Sequence, residues 1–162
     1  MDKNLLAALD VQVGVEHYAE ASYRNMRFWA KAAGWRGFAK WCERAQHGEH
    51  DDGHSLLSLA VRCGEFPAIP SMTAPESKYK GLADALGFVA GLEATNFTNL
   101  SKLHDLAVKV GDVVVTVHLE EMLTEQQESK TKTALLKARA DEAGSDPAAL
   151  RMLDKYLAHA KP

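Results

Sequence analysis

Apolar residues recur at spacings of three and four from Leu5 to Ala33 and again from Phe38 to Cys63. That period marks a helix with one face turned to a core, and it predicts two amphipathic helices. The Gly34-Trp35-Arg36-Gly37 stretch between them suits a tight turn and makes them antiparallel neighbours. The same pattern returns over Leu82 to Val110 and Val113 to Ala140, with Gly111 between. Proline is absent until Pro67; Pro67, Pro70 and Pro75 then fall within Gly64 to Ser77, where the pattern lapses. That segment is the one long connection. Asp146-Pro147 reads as an N-cap and first position of a fifth, shorter helix reaching about Ala158. Val113-Val114-Val115 is the only local argument for a strand; inside a long helical pattern it reads instead as a buried helix start.

Helices of about 25 to 30 residues are roughly 40 Å long. Two antiparallel pairs joined by one long crossover between the second and third helices define an all-α four-helix bundle. One domain is expected over residues 1–162, with the bundle over about 4–140 and the C-terminal helix over about 146–159. A content of 46% hydrophobic and 25% charged residues suits a globular chain with a sizeable core. Net charge is -3 with Lys and Arg dispersed, which argues against nucleic acid or an anionic membrane as partner. No apolar run approaches the ~18 residues of a spanning helix, and the expected location is cytoplasmic. Cys42 and Cys63, on one helix, would stand roughly 30 Å apart. They therefore cannot bridge, match no zinc spacing, and are expected in the core or at a subunit contact.

Polar residues interrupt each apolar stripe. On the first helix the stripe runs Leu5, Leu9, Gln12, Glu16, Ala19, Tyr23, Ala30, which turns Glu16 and Tyr23 inward at 100° per residue. The second gives Cys42, Ala45, Glu49, Asp52, Leu56, Leu59; the third gives Leu82, Leu86, Val89, Glu93, Asn96, Leu100, Leu103. The fourth gives His118, Met122, Glu125 or Gln126, Ser129, Thr133, Leu136. Each acid lies near the middle of its helix, so packing brings Glu16, Glu49, Asp52, Glu93 and Gln126 to one level. Ionised carboxylates in a dry interior repel one another and lose hydration unless they are protonated, paired or bound to cations. An oxygen-rich set of this kind suits a pair of divalent ions bridged by a carboxylate. Arg27, one turn after Tyr23, would neutralise one acid but not four. Tyr23 itself is either a core residue with a satisfied hydroxyl or a neighbour of the metals. His47, His50, Asp51 and His54 fall on the opposite side of the second helix and read as a solvated face.

From Leu5 to Ala158 the residues resemble the non-haem bacterial ferritins. The resemblance rests on an ordered set: Val15-Glu16-His17-Tyr18, Ala21-Ser22-Tyr23 with Met26 and Trp29, Gly37-Phe38-Ala39, Gly64-Glu65-Phe66-Pro67, Leu92-Glu93-Ala94-Thr95 and Thr124-Glu125-Gln126-Gln127-Glu128. It implies a ferritin-like four-helix bundle with a di-iron centre. Glu16 and Glu49 would hold the first iron with Glu49 bridging, Glu93 would hold the second with Gln126 beside it, and Tyr23 would neighbour the pair. Glu125 and Glu128 resemble acids used for an accessory third iron. The activity implied is oxidation of Fe(II) by O2 or H2O2, with Fe(III) mineral stored inside a self-associated shell of 24 subunits. Haem is not expected, because Met72 in the crossover is not placed as a haem-ligating Met would be. The fifth helix, with Leu150, Leu153, Tyr156 and Leu157 on one stripe, is expected to pack against neighbouring subunits.

Three positions depart from the family pattern. In Gly48-Glu49-His50-Asp51-Asp52, Gly48 replaces a Glu and Asp52 replaces a His, and Ser129 stands where many members carry a further Glu. The first site becomes all oxygen. The departures leave two expectations open: an attenuated ferroxidase, or a storage subunit with a weak or inactive centre.

Overall fold

The computed structural model describes residues 1–162. Five helices follow one another: α1 (Lys3–Ala33), α2 (Arg36–Arg62), α3 (Leu82–Val110), α4 (Val113–Ala143) and α5 (Pro147–Leu157), and there are no strands. The Asp2 carboxylate accepts from the Asn4 and Leu5 backbone N–H groups at 2.8 and 3.2 Å and starts α1. Gly34, at φ +81°, ends it in the left-handed conformation that a residue with a Cβ resists. Asp112 and Asp146 cap α4 and α5 in the same way as Asp2. Val113 to Val115 are helical as expected, but only Val115 is buried, and Val113 and Val114 face outward.

No side chain of its own neighbourhood caps α2. The Asp154 carboxylate of α5 does so instead, accepting from the Phe38 N–H at 2.8 Å, where the helix dipole also favours a negative charge. The approach is possible because residue 37 is glycine: a Cβ there would lie 1.6 Å from the Asp154 carbonyl oxygen.

The pairs α1/α2 and α3/α4 pack most extensively, with α1 also against α3. The crossover between α2 and α3 runs back along α1. It begins where Glu65 accepts from the Met1 ammonium at 3.0 Å, passes Asp10, which accepts from Ala68 N–H at 2.9 Å, and ends where Asn25 donates to the Glu76 carbonyl at 2.7 Å. Tyr79 then wedges edge-on between Trp29 and Phe88. The crossover thus returns the chain along the bundle, so α3 starts at the same end as α2.

Two apolar clusters fill the bundle. One holds Tyr23, Met26, Phe38, Trp41, Leu82, Leu86 and Leu136; the other is aliphatic, with Leu5, Leu9, Leu56, Leu59, Leu100, Leu103 and Leu119. At roughly 1.5–3 kcal/mol per buried large side chain, these clusters supply the stability that tolerates a polar belt between them. On α4 the buried stripe is Val115, Leu119, Met122, Gln126, Thr133 and Leu136. His118 is therefore off the core, bonded at 2.9 Å to Ser55. Both cysteines are free, Cys42 in the aromatic cluster and Cys63 against the aliphatic one.

The expectation for α5 needs correction. Leu153 and Leu157 bury against this chain's own aromatic cluster. Arg44 fixes the helix end by donating to the carbonyls of Leu157, Ala158 and Ala160 at 2.9, 3.3 and 2.7 Å. Met152 and Tyr156 alone among its large apolar residues stay outside, 73% and 50% exposed. No helix is long and apolar enough to cross a membrane.

Candidate metal centre

Gln12, Glu16, Glu49, Glu93, Asn96 and Gln126 are all buried at the level between the two clusters. They come from all four bundle helices. Oxygens of Glu16, Glu49 and Asp52 lie within 4.8 Å of one another. Asp52 is only half-buried, at the edge of the belt. On α4 the structure chooses Gln126 for the interior and leaves Glu125 exposed.

Neutral donors hold two of the acids. Gln12 Nε2 donates to Glu16 Oε1 at 2.7 Å and to Asn96 Oδ1 at 2.7 Å; Asn96 Nδ2 donates to Glu16 Oε2 at 2.7 Å and to Gln126 Oε1 at 3.4 Å. Gln126 Nε2 donates to Glu93 Oε2 at 2.6 Å, and the Tyr23 hydroxyl donates to Glu93 Oε1. Tyr23 thus has a satisfied hydroxyl and also touches the acid cluster. Arg27 is elsewhere, paired with Glu43. Glu49 Oε2, by contrast, is buried with no partner.

Burial is the main force on every acid here, and it raises the proton affinity of each. For Glu16 the Gln12 and Asn96 bonds partly offset it, and for Glu93 the Tyr23 and Gln126 bonds do the same. Glu49 has no such offset: burial, then the charges of Glu93 and Glu16, push it well above the usual carboxylate range. Asp52 is raised to about 7 by burial and then by Glu16 and Glu125. Burial, and after it the Glu93 and Glu49 charges, keep the Tyr23 phenol protonated. A divalent cation among these oxygens would relieve both the repulsion and the orphaned acceptor.

A cavity of about 390 Å³ opens from this cluster between α2 and α4, lined among others by Glu49, Asp52, Glu93, Glu125, Gln126 and Ser129. Of the accessory pair, Glu125 lies at this cavity, whereas Glu128 is exposed and pairs with Lys132 at 3.6 Å. His47, His50 and His54 are exposed on the other side of α2, with His50 3.6 Å from Glu20. Sequence reasoning placed Gln12 and Asn96 on the stripes but gave them no role. The signal was present: each is a polar residue one helical turn from a buried acid.

The family model described as ferritin-like domain matches residues 6–142. The chain belongs to the ferritin-like domain family. It is 26% identical over 161 residues to a bacterial non-heme ferritin of Staphylococcus haemolyticus, across 98% of this chain and 95% of that one. It is 22% identical over 157 residues to a probable bacterial non-heme ferritin-like protein of Haemophilus influenzae, across 97% and 95%. The fold is shared with an open pore ferritin from Archaeoglobus fulgidus at TM-score 0.95 and 20% identity, over 99% of this chain and 98% of that one. An engineered closed form of that ferritin gives 0.93 at 21% identity, over the same shares.

Proposed function

We propose that this chain is an iron-storage subunit that binds two Fe(II) ions in the polar belt and oxidises them. Glu16, Glu49 and Asp52 would take one ion, Glu93 with Gln126 beside it the other, and Glu49 would bridge them. The observation that carries this reading is the unpartnered Glu49 oxygen inside a ring of buried carboxyls, a donor set of hard oxygens suited to divalent iron. Two Fe(II) supply two electrons, which with two protons convert O2 to H2O2, or H2O2 to two waters. The chain's own groups orient the ligands: Gln12 and Asn96 hold Glu16, and Tyr23 and Gln126 hold Glu93. Glu125 and Glu128 offer exposed oxygens for an accessory ion on the same side of α4.

Self-association into a cytoplasmic shell, with 24 copies as the family resemblance implies, is part of this reading. The apolar residues left uncovered support it: Val108, Val110, Val113, Val114 and Val117 around the α3–α4 turn are 40–71% exposed, a patch suited to contact with another copy. Anaerobic Fe(II) followed by air should give rapid protein-dependent absorbance, and the Glu49→Ala/Glu93→Ala double variant should abolish the fast phase; an unchanged rate would reject the centre.

A second reading is a storage subunit with a weak centre. The half-exposed Asp52 and the hydroxyl of Ser129 at the cavity favour it, because neither is as strong a ligand as a buried carboxylate. Its mark would be slow iron accumulation with no fast phase at two irons per subunit.

A further inference from the structure

The cavity between α2 and α4 has two unlike sides. Glu49, Asp51, Asp52 and Glu125 make one acidic; the other carries Arg44 and Lys161, with Trp41 beside them and Pro162 at the rim. Positive charge beside a cavity that receives cations works against them, so the basic side calls for its own ligand. Arg44 uses three of its five N–H groups on the carbonyls that end α5, which leaves two free. Lys161 pairs with no acid of the chain.

Trp41 is the more telling residue. Its side chain is completely buried, yet its indole N–H has no acceptor. A buried donor left unpaired is destabilising, and an acceptor reaching it from the cavity would remove that cost. Nor is the space filled from the rim, because a Cβ on Gly48 would meet nothing within 4 Å. A neutral N–H, a guanidinium and an ammonium belonging to residues that line one open volume match a small oxyanion, whose oxygens can accept from each.

We infer that Trp41, Arg44 and Lys161 form a subsite for a phosphate-class oxyanion beside the metal-binding carboxylates. The inference rests on the metal-binding function proposed above, because the bare acids repel an anion and bound divalent ions remove that repulsion. Phosphate would then follow iron into the same cavity and meet it there.

Zinc(II) provides a test that does not depend on oxidation. The protein is first titrated with zinc in competition with a chromophoric chelator, and inorganic phosphate is then titrated calorimetrically into the zinc-loaded wild type, Trp41→Phe and Lys161→Met. Loss of one hydrogen bond to a charged group predicts about tenfold weaker phosphate binding for Trp41→Phe. Lys161→Met, at the chain's surface, should weaken it severalfold and flatten its salt dependence. Zinc affinity should be unchanged in both. Bicarbonate, planar and singly charged, should bind the wild type more weakly than phosphate does. Phosphate affinities within twofold across the three proteins would overturn the subsite and leave the metal reading intact, with the indole N–H then facing the Tyr23 ring, whose centroid is 5.7 Å away. Zinc that fails to bind, or binds equally to Glu49→Gln, would overturn the metal reading and the subsite together.

Discussion

The two sides of the polar belt solve the same electrostatic problem differently. On the side of α1, α3 and α4, each carboxylate oxygen of Glu16 and Glu93 already accepts a hydrogen bond, from Gln12, Asn96, Tyr23 or Gln126. On the α2 side, Glu49 and Asp52 have no neutral donor, and one Glu49 oxygen has no partner at all. The first side is fixed in place before any ligand arrives. The second is held together against its own repulsion and has the most to gain from a cation.

Replacing the same functional group on the two sides should break this symmetry most visibly. Glu49→Gln should lower zinc affinity by more than the roughly 100-fold that marks the upper end for residues merely supporting a ligand. It should nevertheless raise the melting temperature of the metal-free protein, because it replaces an acid that folding forces to take up a proton with a side chain that is neutral in both states. Glu16→Gln should lower both, since its new amide N–H would face the donors of Gln12 and Asn96; about 1–3 kcal/mol of stability is expected to go. Calorimetric melting of both variants decides the matter, and equal signs would refute the contrast.

The pH dependence of stability sharpens it next. Asp52 moves from 3.8 to about 7 on folding, so the folded chain binds this proton more tightly than the unfolded one. Its contribution is complete below 3.8 and is lost as the pH rises through about 7. Metal-free protein should therefore weaken as the pH rises over that interval. Asp52→Asn should reduce the total loss over that interval by on the order of 2 kcal/mol, allowing for the solvent that reaches this half-buried group. Denaturant titrations at several pH values provide the measurement. A smaller effect is expected from Asn96→Leu, which leaves Glu16 with one donor and should weaken zinc about tenfold. Smallest of all, Tyr23→Phe should slow iron oxidation only a few-fold, measured by stopped flow, because Gln126 still holds Glu93.

The long helices, their order and the single crossover were legible because apolar spacing records a helix's buried face directly. Glu16, Glu49 and Glu93 were legible for the same reason: an acid on an apolar stripe stands out. What periodicity cannot resolve is a residue at a stripe's margin. A shift of one position, 100° of rotation, separates His118 from Leu119 and Glu125 from Gln126 on α4. Asp52 fell on such a margin and proved half-buried. The docking of α5 was misjudged because its seat depends on a missing side chain, Gly37, and on a distant cap, Asp154. Neither leaves a periodic trace.

That seat reaches further than helix packing. The tail beyond α5 carries Lys161 to the rim of the acid-lined cavity, and Lys132 holds the backbone oxygen of Pro162 at 3.0 Å. One methyl group at position 37 would collide with the Asp154 backbone and lever the whole C-terminal arm outward. The first residues of the second helix therefore act at a distance as the hinge pin of the cavity's rim, although none of them approaches a carboxylate of the centre.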